Sequence, residues 1–228
     1  ALKYHQKATS HIESWYGFHS SFIAARYFPE KQLDEALRSR FDYLFGLLHD
    51  RTKMVPLYHA SRIQNTSGTI GLLVDKYEAY GDVEDLKKAS RLADWLMNTW
   101  QRKDGAYVNH NTVYTSVIYV AKSMLELTLV ERELGKTESM WKEAADRHYA
   151  SAKRAIDQLV ASQGDFETEG ELTFEDGMVS CSALQIGMLA LMQQDEKERK
   201  HYTDAMLQIL NSHDCLTQLR VPDARRRG

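Results

Sequence analysis

Carboxyl groups are the reactive chemistry this sequence concentrates most. Glu169, Glu171, Glu175 and Asp176 fall within eight residues, directly ahead of a run to Met192 that carries no charge beyond Asp176. Two carboxyls flanking a glycosidic bond can divide its hydrolysis, one protonated to assist the leaving group and one ionised to activate water or attack the sugar. A carboxyl beside Phe174 and Met178 would gain the raised pKa that the acid role requires. Asp104 supplies a second candidate acid from another loop. Each has a plainer reading: Asp176 as the N-cap of the following helix, and Asp104 as the Asp of an Asp-Gly turn. Asp104 and Asp176 are the expected acid/base pair, with Glu175 and Glu171 as substitutes.

The residues around these acids suit a polyhydroxylated ligand. Tyr107, Asn109 and His110 follow Asp104, offering an aromatic face and planar donors. His59 and Arg62 lie in an earlier loop, where the Arg62 fork matches a substrate carboxylate. On the first helix, Trp15 and His19 are either packed core or the lining of a shared interior, and packed core is the commoner fate of such residues.

No metal or organic cofactor is expected. The nine histidines form no HExxH or similar spacing. Walker and dinucleotide glycine turns are missing, and no GxSxG supports a serine nucleophile. Cys181 and Cys215 have no zinc-type spacing and read as free thiols. Positive and negative side chains nearly balance, 29 against 32, which argues against nucleic-acid binding by bulk charge. No apolar run is long enough to span a membrane, and no basic-then-apolar leader opens the chain. Localisation is not fixed; a secreted or periplasmic address would follow if the substrate is a polysaccharide.

The elements that must position these residues are helices. Only three prolines and twelve glycines occur in 228 residues, and the apolar spacing is helical throughout. Ser10 and Glu13 form a capping box for a helix over 10–28, and Pro29 opens the next. Further helices are predicted over 66–80, 83–101, 112–134, 138–163, 178–193 and 196–213. Charge-poor helices alternate with amphipathic ones. The turn from each charge-poor helix to its partner is short, whereas the returns over 50–64, 102–110 and 164–177 run to about ten to fourteen residues, a length that usually marks function. All the candidate site residues lie in, or at the edge of, these returns.

Alternation of this kind predicts an all-α fold, an α/α toroid with charge-poor helices inside and all long loops on one rim. It resembles the (α/α)6 barrel of the six-hairpin glycosidase superfamily. Asp104-Gly105-Ala106-Tyr107 and Thr173-Phe174-Glu175-Asp176-Gly177-Met178, each ahead of an inner helix, carry the likeness. Four hairpins stand where that superfamily has six, so residues 1–228 are expected to form a single domain that is part of a longer chain. The resemblance implies sugar chemistry on an oligosaccharide or polysaccharide. Inner-helix N-termini around one rim would favour an anionic ligand such as a uronic acid. A polysaccharide lyase, with Tyr107 or His110 as the base and Arg62 and Asn109 holding a uronate, is the nearest alternative. A non-catalytic helical binding module is the third, and an open solenoid the rival architecture.

Overall fold

The computed structural model describes residues 13–50, 55–56, 63–109, 112–113, 115, 120–162 and 175–212. Among them are eight helices: α1 Glu13–Tyr27, α2 Lys31–Leu48, α3 Ile63–Tyr80, α4 Val83–Trp100, α5 Val120–Leu134, α6 Ser139–Ala161, α7 Glu175–Met192 and α8 Glu196–Ser212. The only paired strands among the described residues are β1 Val108–Asn109 and β2 Thr112–Val113, antiparallel with Val108 opposite Val113. The fold is all-α.

Local chemistry explains most boundaries. Asp82 caps α4 by accepting from the Glu84 N–H at 3.0 Å, and Gly81 ahead of it takes φ +74° while its N–H closes on Tyr77 O. Asp195 caps α8 through the Glu198 N–H at 2.9 Å. At α2 the cap is Glu30, whose carboxylate accepts from the Leu33 N–H at 2.7 Å. Pro29 therefore lies outside the helix it was expected to open. The Ser10 cap falls outside the described residues.

Two other boundaries correct the sequence reading. The helix expected from Thr112 does not begin there, because Thr112 and Val113 pair with β1. Their β-branched side chains favour an extended backbone, and α5 is assigned from Val120. Helix α7 begins at Glu175, three residues earlier than expected. Asp176 is thus inside its first turn and is not its N-cap.

The chain divides into two compact units, one of residues 1–101 and 123–152, the other of residues 102–122 and 153–228. In the first, an aromatic cluster joins α1, α2 and α3. Phe22 meets Phe41 edge-on at 5.5 Å and Tyr80 at 5.9 Å, and Phe18 meets Phe41 at 5.4 Å. Helix α3 also buries hydroxyls, and Thr69 and Ser67 satisfy theirs on the Asn65 and Gln64 carbonyls of their own helix. Lys76 is buried with its ammonium between Asp42 and the fully buried Asp85, tying α3 to α2 and α4.

The second unit is organised by the buried Gln185 of α7. Its Oε1 accepts from the Ala121 N–H and its Nε2 donates to Thr115 O, both at 2.8 Å. Tyr202 of α8 donates to Asp157 of α6 at 2.6 Å and receives a hydrogen bond from Lys153.

Candidate functional site

Asp104 occupies the tight turn that follows α4. Its carboxylate accepts from the Ala106 N–H at 3.1 Å and is gripped by the Arg102 guanidinium through both nitrogens Nε and Nη2. The Arg102 hydrogen bond, outweighing a small burial effect, holds its pKa below the usual carboxylate range. That environment keeps Asp104 ionised, the opposite of what a general acid needs. Gly105 completes the turn at φ +98°, and a β-carbon there would lie 2.3 Å from Arg154 O, so only glycine fits.

Tyr107 was expected to stack on a sugar, but its side chain is fully buried and presents no face to a ligand. Its N–H donates to Thr115 Oγ1 at 2.9 Å. A residue just past a tight turn and ahead of a strand can face the core as readily as solvent, and here it faces the core. Asn109 ends β1. Glu175 and Asp176 lie in the first turn of α7. Glu171, His59, Arg62 and His110 are outside the described residues.

A different set of polar groups converges within the first unit. Gly71, Asp75 and Glu78 lie at i, i+4 and i+7 on α3 and so share one face. From α1, His19 Nδ1 contacts Asp75 Oδ2 and Arg26 pairs with Glu78. From α5 come Ser123 and Glu126. A β-carbon at position 71 would lie 3.2 Å from Ser123 Oγ, 3.3 Å from His19 Cε1 and 3.7 Å from Glu126 Oε2. Glycine at 71 therefore lets three polar side chains from two neighbouring helices close onto α3. His19, Asp75, Arg26 and Glu78 are 25%, 16%, 29% and 33% exposed, so the face is half-buried yet reachable from solvent.

The electrostatics of this face act on Glu78. Burial pushes Glu78 above the ordinary glutamate value of 4.5, and the charges of Asp75 and Glu126 push the same way against the pull of Arg26. Glu78 is thus the group on this face that holds a proton more readily than a free glutamate.

A second polar cluster, Glu131, His148 and Asp94, lies elsewhere in the unit. Glu131 and His148 are sealed from solvent, and Asp94 beside them is partly exposed.

The sequence contained a signal for the first cluster that loop-based reasoning passed over. Asp75 and Glu78 interrupt a helix whose preceding turns carry no charge, and Glu126 interrupts another apolar stretch. An isolated acid on a helix whose neighbours are buried must be paired, solvated or used. No protein-family model matches the chain, and no curated protein matches it.

Proposed function

We propose that this protein is a carbohydrate-active enzyme, a glycoside hydrolase built on an α/α toroid of helical hairpins, with its acids on the α1, α3 and α5 face of the first unit. The reading rests on one observation: Asp75, Glu78 and Glu126 gather on one half-buried face, and the environment raises Glu78. A raised carboxyl beside other acids is the arrangement that divides labour between general acid and its ionised partner. Glu78 is the acid that protonates the leaving oxygen. Glu126 is its ionised partner, and Asp75 orients His19 for hydrogen bonding to a sugar hydroxyl. The toroid is supported by alternating charge-poor and amphipathic helices joined by the short turns at 28–30, 81–82 and 193–195.

The test is hydrolysis of a panel of aryl glycosides and plant oligosaccharides, followed by reducing-sugar release. Glu78→Gln and Glu126→Gln should each lower kcat by about 10²–10⁴-fold while the circular dichroism spectrum is unchanged. Loss of activity as pH rises through the Glu78 pKa should vanish in Glu78→Gln. Products absorbing in the near ultraviolet would replace hydrolysis with elimination. Full activity in both variants would remove this face from the chemistry.

A further inference from the structure

We propose that the exposed face of the hairpin formed by α7 and α8 docks a second copy of this chain, the two copies meeting about a two-fold axis with α7 antiparallel to α7. This surface belongs to the second unit, and its role does not depend on the sugar chemistry proposed above.

Helix α7 is apolar on every side. From Gly177 to Gln193 the chain carries no acid, base or histidine. A helix of that composition belongs where all its sides are covered, and Ala183, Gln185, Ile186, Leu189 and Ala190 are indeed buried. One side is not. Leu184 is 43% and Leu191 84% exposed, Met188 between them is half-buried, and steps of four and three residues place all three on one stripe. Gly187 lies beside that stripe, and a β-carbon there would come within 2.8 Å of Met206 Sδ, so α8 borders it directly. On α8, Leu207 is 45% exposed and Leu210 half-buried. The apolar surface therefore continues across two helices, and a continuous exposed apolar surface marks an interaction site.

Charge favours a second copy as the occupant. In a two-fold contact the same patch stands on both sides, so any net charge on it would meet its own sign. The α7 stripe has none. Lys200 and Asp204, which edge it on α8, pair with each other at 2.7 Å. A lipid surface would instead suit a basic polar face, whereas α8 balances Lys197, Arg199 and Lys200 against Glu196, Glu198 and Asp204.

Size supports the same occupant. The 18 residues of α7 rise about 27 Å. Two helices packed about 9 Å apart then offer roughly 500 Å² per copy, or roughly 1,000 Å² in total, the lower end for a specific interface. Such an area suits a reversible dimer. With the axis crossing midway along the stripe, between Gly187 and Met188, Leu184 lies opposite Leu191 of the partner subunit.

The experiment is sedimentation velocity of the full chain from about 1 to 200 μM. The sedimentation coefficient should climb from monomer to dimer with a Kd on the order of 10 μM. Leu184→Glu and Leu191→Glu should each weaken association by about tenfold or more, since each buries a charge in an apolar contact. Both side chains are exposed in the monomer, so thermal melts below the Kd should be unchanged. An equimolar mixture of Leu184→Lys and Leu191→Glu should associate more tightly than either variant alone, because the antiparallel register brings the opposite charges together. A monomer at every concentration, a dimer insensitive to both glutamate substitutions, or binding to neutral phosphatidylcholine vesicles in place of self-association would overturn the proposal. A mixture no tighter than its components would overturn the antiparallel register.

Discussion

His148 Nδ1 lies 2.7 Å from Glu131 Oε2, with both side chains sealed from solvent. On its other side, His148 Nε2 is 3.3 Å from Asp94 Oδ1, and Arg147 also grips Asp94. The imidazole thus bridges a carboxylate of α5 to one of α4. Glu131 Oε1 has no hydrogen-bond partner, so the imidazole carries the compensation of that buried carboxylate. Removing one partner of such a pair strands the other. His148→Ala should therefore destabilise the protein by about 3–5 kcal/mol in denaturant unfolding, and the Glu131→Leu/His148→Ala double variant should lose less than the sum of its parts.

Two histidines should shape stability on opposite sides of neutrality. Burial lowers the pKa of His148, but its contacts with Asp94 and Glu131 overcome this and leave it above 6.5. Its contribution is complete below about 6.5, the unfolded value, and is lost as pH rises through the folded one. His49 does the reverse. Burial against Phe45 drops it from 6.5 to about 4, only partly offset by its Nδ1–H bond to the Phe45 carbonyl. As pH falls from 6.5 to about 4, the unfolded chain takes up a proton that the folded chain refuses, at a cost of up to roughly 3 kcal/mol. Melting temperatures measured across pH should decline on both flanks. His148→Gln should flatten the alkaline flank and His49→Phe the acid one.

Gly105 and Gly68 should respond oppositely to alanine. At Gly105 the positive φ costs about 1–3 kcal/mol for an L-residue, and the β-carbon would strike the Arg154 backbone. At Gly68, within α3, a β-carbon meets nothing within 4 Å, so the smaller backbone entropy of alanine should stabilise by about 0.5–1 kcal/mol. Thermal melts of the two variants should move in opposite directions.

Gln185→Leu should preserve bulk in the second unit yet orphan the Ala121 N–H and the Thr115 carbonyl. Each stranded group costs about 1–3 kcal/mol. Hydrogen exchange at the Ala121 amide should quicken in step with the loss of stability, whereas Leu191→Gln, at a position 84% exposed, should change neither.

Helical character was fixed by local sequence. Periodic apolar residues, the caps Asp82 and Asp195, and Gly81 at a helix end each act over one turn of chain, so α3, α4, α6 and α8 lie within a few residues of their expected limits. Thr112 and Val113 escaped this reasoning because a β-branched pair at the head of an apolar run also fits a helix, and pairing with Val108 and Asn109 decided between the two. The site escaped it for a related reason. Loop position drew attention to Asp104 and Tyr107, but Arg102 occupies the first and the core encloses the second. The convergence of His19, Asp75, Ser123 and Glu126 depends on separate helices closing over Gly71, between residues up to 107 positions apart in sequence. Spacing within one helix places a side chain on a face; which faces meet is set by packing, and packing is a property of the folded chain alone.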